Sequence, residues 1–187
     1  MKRSVRADAQ RNVDALLEAA KTVFAAAGVD APVREIAKEA GVGVGTLYRH
    51  FPDRAGLIAA VFRREVDACA KAAPELAANR PPFEALADWI QLFAGFITTK
   101  RGLASALHSG SSAFEPLPSY FDQHLRPALE TLLAAARTAG AVRTDVDADD
   151  IIGAVASLCM STKIDQPDHA HRMVSLFVDG LRYGAQG

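Results

Sequence analysis

The sequence predicts an all-helical protein of two parts and about nine helices, and three observations predict it. Half of the 187 residues are hydrophobic, with alanine prominent. Apolar residues recur at steps of three and four, and no β-branched stretch alternates for long. Glycine and proline fall mainly where those periodic stretches stop. The length suffices for a substantial core, arranged as one ordinary domain or as a small one fused to a larger. No apolar run reaches transmembrane length and no basic start leads into an apolar leader, so the expected location is the cytoplasm. Cys69 and Cys159 have neither a metal spacing nor a disulfide framework around them and read as small core residues.

In chain order, residues 1–7 carry Lys2, Arg3 and Arg6 with little to bury, and are expected to be mobile. From Asp8 the apolar positions Val13, Leu16, Leu17, Ala20, Phe24 and Ala27 predict a helix that ends at Gly28. Pro32 to Phe51, PVREIAKEAGVGVGTLYRHF, then reads as two short helices around a glycine turn. The first, Val33 to Ala40, puts Val33, Ile36, Ala37 and Ala40 on one face and Arg34, Glu35, Lys38 and Glu39 on the other. Gly41 stands where a C-terminal cap wants positive φ, and Gly43 and Gly45 are expected to let one helix lie close against another. The second, about Val44 to His50, points Leu47 and Phe51 inward and leaves Thr46, Tyr48, Arg49 and His50 outside. Two such helices are what a helix-turn-helix offers the major groove of DNA. The glycines do not make a dinucleotide cradle, because that fingerprint needs a preceding strand.

The run IAKEAGVGVGTLYRHFPDRAGL resembles the DNA-binding segment of the tetracycline-repressor family of bacterial transcription regulators. The family's hallmark is an AGV turn followed by T-L-Y-x-H-F and a basic residue just past the phenylalanine. The resemblance covers only the N-terminal third of the chain. It implies a DNA-binding domain over residues 1–56, with its motif at 32–51, and a helical ligand-binding and dimerisation domain over 57–187. It further implies a homodimer that binds double-stranded DNA and answers to a small-molecule effector; no cofactor, metal or catalysis is expected. Arg34, Val44, Gly45, Thr46, Tyr48, Arg49, His50 and Arg54 are the expected DNA contacts. Two positions depart from the commonest form: Pro32 replaces a capping threonine that touches phosphate, and Arg54 replaces lysine. Charge agrees with this division. Residues 1–64 hold eleven Lys and Arg against seven Asp and Glu, a net +4, and the remainder is −5.

Past Pro52, Asp53 is placed to cap a connector helix through Leu57, Val61, Phe62 and Val66 to about Ala72, with Pro74 and the Pro81-Pro82 pair bracketing a polar break. Phe83 to Lys100 carries a stripe of large apolar groups, and seven of the thirteen aromatic residues lie between Phe83 and Phe121. Two readings stay open: a well-filled core, or an apolar pocket for a ligand lined by Trp89, Phe93, Phe96, Ile97, His108, Phe114, Phe121, His124 and Leu125. After the loop SGSSAFEPLPS, a helix of about Tyr120 to Ala139 turns Leu125, Leu129, Leu132 and Leu133 inward and stops at Gly140. Asp147 opens the next helix, and the last follows Pro167. Ile152, Val155, Cys159, Met173, Phe177 and Leu181 on these two are the expected dimer face, the alternative being a monomer whose last helices close its own core. A catalytic reading is weak: the serines after Gly110 lack a nucleophile elbow, and His169 and His171 point to different helix faces. A helical adaptor that no longer reads DNA is the remaining competitor.

Overall fold

The computed structural model describes residues 2–102, 111–161 and 167–183. Among them are eight α-helices and no strand: α1 (Lys2–Ala27), α2 (Val33–Glu39), α3 (Val44–His50), α4 (Arg54–Asn79), α5 (Pro82–Gly102), α6 (Leu117–Thr138), α7 (Ala148–Ser161) and α8 (Pro167–Gly180). A 3-10 turn, Ser112–Phe114, lies between α5 and α6. Residues 1–64 and 102–117 form one compact unit, and 65–101 with 118–187 form another. The division falls within α4, eight residues past the expected end of the first domain at residue 56. Arg64 supplies a physical reason: it donates from Nη1 to the Asp14 carbonyl at 2.6 Å and from Nη2 to Glu18 at 3.1 Å, fastening this part of α4 to α1.

Several local expectations are met and several are corrected. α1 begins at Lys2 rather than Asp8, and Ala27 is exposed, since the helix has passed its buried stripe by then. Gly28, at φ 80, ends it. Pro74 does not break α4. It sits on the exposed side inside a helix of 26 residues, where the carbonyl left without a donor one turn earlier can be hydrated. Pro127, likewise exposed, is carried inside α6. α6 ends as expected at Gly140, φ 63, with Ala141 donating to the Ala136 carbonyl at 3.0 Å and Gly140 to Arg137 at 2.9 Å. At α7, Asp147 and Asp150 cap reciprocally: each carboxylate accepts the other's backbone N–H at 2.9 Å.

In the second unit, the core is centred on α5 and α6. Trp89, Phe93, Ile90, Leu125 and Leu129 have no exposed surface. Trp89 stacks on Phe93 with ring centroids 5.6 Å apart, and its indole N–H donates to the Cys69 carbonyl at 2.9 Å, so burying the ring leaves no polar atom unmatched. α7 packs on α8. Both cysteines are buried and free. Burial, with a smaller contribution from the charge of Glu65, pushes the Cys69 thiol up to about 12, so no thiolate is present at neutral pH. Neither thiol should react with an aromatic disulfide reagent at pH 8 in the native protein, and both should react in denaturant. Rapid native labelling of either would contradict this packing.

Candidate nucleic-acid interface

The first unit supports α3 through α2, which packs on α1 and on α3. Pro32 is the N-cap of α2 and gives no side-chain cap, as its ring must. Ile36 and Ala37 are buried, while Arg34, Glu35, Lys38 and Glu39 are exposed, following the predicted period. Gly41 takes φ 68 in a Schellman turn: Val42 donates to the Ala37 carbonyl at 3.0 Å and Gly41 to Lys38 at 3.1 Å. α3 then starts at the extended Gly43, whose carbonyl accepts from Thr46 at 2.8 Å. Leu47, 1% exposed, is its one fully buried side chain; Phe51, the C-cap, is only half-buried.

With about 100° between successive residues, Gly45 and Arg49 lie opposite Leu47 at the middle of the outer face. Val44 and Tyr48 form one flank, 39% and 49% exposed, and the half-buried Thr46 and His50 form the other. Arg49 is exposed and lies back along the helix, donating from Nε to the Gly45 carbonyl and from Nη2 to Thr46 Oγ1, both at 3.2 Å. The expectation that Gly43 and Gly45 allow close helix packing is not met. A β-carbon at either would meet nothing within 4 Å, because both face away from the rest of the unit. Arg54 also has a use that the sequence did not reveal: its Nη1 donates to the Val29 carbonyl and, at 2.8 Å, to that of Ala31, clamping the loop between α1 and α2. Those acceptors lie 25 and 23 residues earlier, where no local pattern points to them. Asp53 caps α4 as expected, its Oδ1 accepting from Gly56 N–H at 2.7 Å.

The second group of expected site residues is only partly brought together. Phe93 and Phe96 each lie 6.0 Å, centroid to centroid, from Phe121. Trp89, Phe93 and Leu125 have no surface that water can touch, and Phe96 and Ile97 have very little, so these rings are core packing in this state rather than the lining of an open pocket. Phe114 is buried but belongs to the first unit, and His108 lies outside the described residues. His124 is half-buried, stacked on Tyr120 at 4.0 Å, with Nδ1 2.7 Å from the Tyr120 carbonyl; the Tyr120 hydroxyl donates to Asp67 at 2.5 Å. Of the expected dimer face, Val155, Cys159 and Leu181 are buried in the chain's own core, whereas Ile152, Met173 and Phe177 keep accessible surface. Among the described residues no cluster of His, Cys, Asp or Glu could hold a metal, and no helix is long and apolar enough to cross a membrane.

α2, the turn at Gly41 and the short α3, anchored by one leucine and leaving an arginine and a tyrosine in solvent, have the form of a helix-turn-helix. Comparison with known proteins agrees. Residues 16–61 match the bacterial regulatory proteins of the tetR family, and residues 81–183 match the SbtR-like transcriptional regulator C-terminal domain. The fold is similar to that of a TetR transcriptional regulator from Streptomyces coelicolor, 40% identical, with 91% of this chain and 98% of that one covered and a TM-score of 0.80. A TetR regulatory protein from Mycobacterium vanbaalenii is 37% identical over 95% of this chain and 99% of its own, with a TM-score of 0.73. An HTH-type transcriptional regulator of Staphylococcus aureus is 42% identical over 64 residues, 34% of this chain, so the match spans about a third (35%) of that relative's length. The chain belongs to the TetR family of transcription regulators.

Arg54 tests how the unit is held. Arg54→Met removes a charged donor from two backbone carbonyls and should cost about 2 kcal/mol, lowering the melting temperature by about 4–8 °C. An unchanged melting temperature would show that the clamp carries no stability.

Proposed function

We propose that the protein is a homodimeric, cytoplasmic repressor that binds a roughly palindromic operator and is released by a small, largely apolar or aromatic ligand. The observation that carries the DNA-reading part is the outer face of α3, where Tyr48 and Val44 are exposed without any packing reason. Exposed apolar side chains on such a helix are suited to contacts in the major groove. Arg49 can offer its fork to guanine, and Arg34 and Thr46 can reach phosphate or base edges. The +4 charge of residues 1–64 supplies counterion release beside them.

Dimerisation is supported by the apolar surface left on α7 and α8, where Met160 and Leu176 are 52% and 64% exposed beside the half-buried Ile152, Met173 and Phe177. Two-fold pairing through this face would present two reading helices to successive major grooves. For the effector, the half-buried edge at Phe121, Tyr120 and His124 is the better entrance, since the rings behind it are closed. The ligand releases DNA only if it binds more tightly to a protein state that cannot dock both heads. This reading gives the chain no catalytic step.

Tyr48→Ala should weaken binding to the operator about tenfold or more while leaving a folded dimer, as read by fluorescence anisotropy against random DNA with a salt titration. Full affinity in the variant would sink the assignment of α3. Leu176→Asp places a charge in the proposed interface, and sedimentation should then report a monomer with unchanged helix content. A dimer of unaltered strength would move the interface elsewhere.

A further inference from the structure

Gly45 has no explanation within the protein. It is not at positive φ, a β-carbon there meets nothing within 4 Å, and glycine is the poorest helix former after proline. It sits at the centre of the outer face of a helix only seven residues long, in its first turn. Arg49 does not require it either, because no atom of that side chain comes within 4 Å of the position an added methyl would take. The clearance is therefore open to something outside the chain.

Resting on the DNA-reading function above, we infer that Gly45, with the exposed side chain of Val44 beside it, forms a seat for the 5-methyl group of a thymine in the major groove. The chemistry of the rim favours this group. Val44 is 39% exposed, and Tyr48 stands one turn further along the same flank. The thymine methyl is the one apolar group that a base pair presents in the major groove, and apolar side chains are its usual partners. Arg49, held back along the helix by the Gly45 carbonyl and Thr46 Oγ1, is placed to take a guanine at a neighbouring step. Gly45 thereby sets specificity, because its missing side chain lets the base edge approach.

The test first selects duplexes bound by the wild-type full-length protein from a randomised library. Each thymine of the winning duplex is then replaced by deoxyuridine, which removes only the methyl. One thymine per half-site should weaken wild-type binding about fourfold when replaced, the effect expected of one lost apolar carbon. Gly45→Ala should melt at the same or a higher temperature, bind the selected duplex at least about tenfold more weakly, and no longer distinguish thymine from deoxyuridine at that site. Undiminished binding by Gly45→Ala overturns the seat, as does a wild-type protein indifferent to every deoxyuridine, and either result leaves DNA reading intact. A wild-type protein that enriches no duplex over random DNA overturns the reading function and the seat with it.

Discussion

A helix of seven residues cannot hold itself in water, and α3 is that long. Forming the first turn is costly and two turns do not recover the cost, so the geometry of the reading helix is imposed from outside it. Leu47 pins one face. The Schellman turn at Gly41 fixes the direction in which the chain leaves α2, and α2 is no longer than α3. Its support therefore extends back to α1, through the buried Ile36 and Ala37 and through the loop whose carbonyls Arg54 gathers. Arg64 repeats the device further along α4. Much of what is specific in the first unit serves to hold two turns of helix still.

This dependence explains which parts were legible in the sequence. Period and punctuation act over a few residues, so α2, α3, the glycine stops at 28, 41 and 140 and the Asp53 and Asp147 caps could be read directly. Interactions across distance could not. Arg54 looks like any basic residue at a helix start until the fold brings Val29 and Ala31 to it, and the tie from Arg64 to Asp14 spans 50 positions. Pro74 misleads for a related reason. A proline forbids one hydrogen bond but does not forbid a helix when its ring faces water, and only the tertiary fold decides which way it faces.

The aromatic stretch shows the same boundary between composition and packing. Rings concentrated between Phe83 and Phe121 could have lined a cavity or filled one, and both need the same residues at the same spacing. The structure separates the two through satisfaction and exposure. Trp89 has its indole N–H bonded and no surface open, so it leaves no room for a ligand, whereas Tyr120, Phe121 and His124 keep accessible edge. The last two helices divide likewise, with Val155, Cys159 and Leu181 turned inward and Met160 and Leu176 outward. Helical periodicity places residues on faces, but when apolar groups occupy more than one face it does not say which one the protomer buries.

A residue that obeys every local rule is already accounted for by folding, and a residue that breaks one without compensation is where function should be sought. Gly41 is accounted for by φ 68. Arg54 looks functional yet is engaged by its own chain. On the outer face of α3 the comparison comes out the other way. Tyr48 and Val44 put apolar surface into water, and Gly45 gives up helix propensity where no neighbour asks for it. Gly45 lies directly opposite the residue that anchors the helix, and Val44 and Tyr48 form the flank beside it. This face is therefore where contacts to a partner are to be sought.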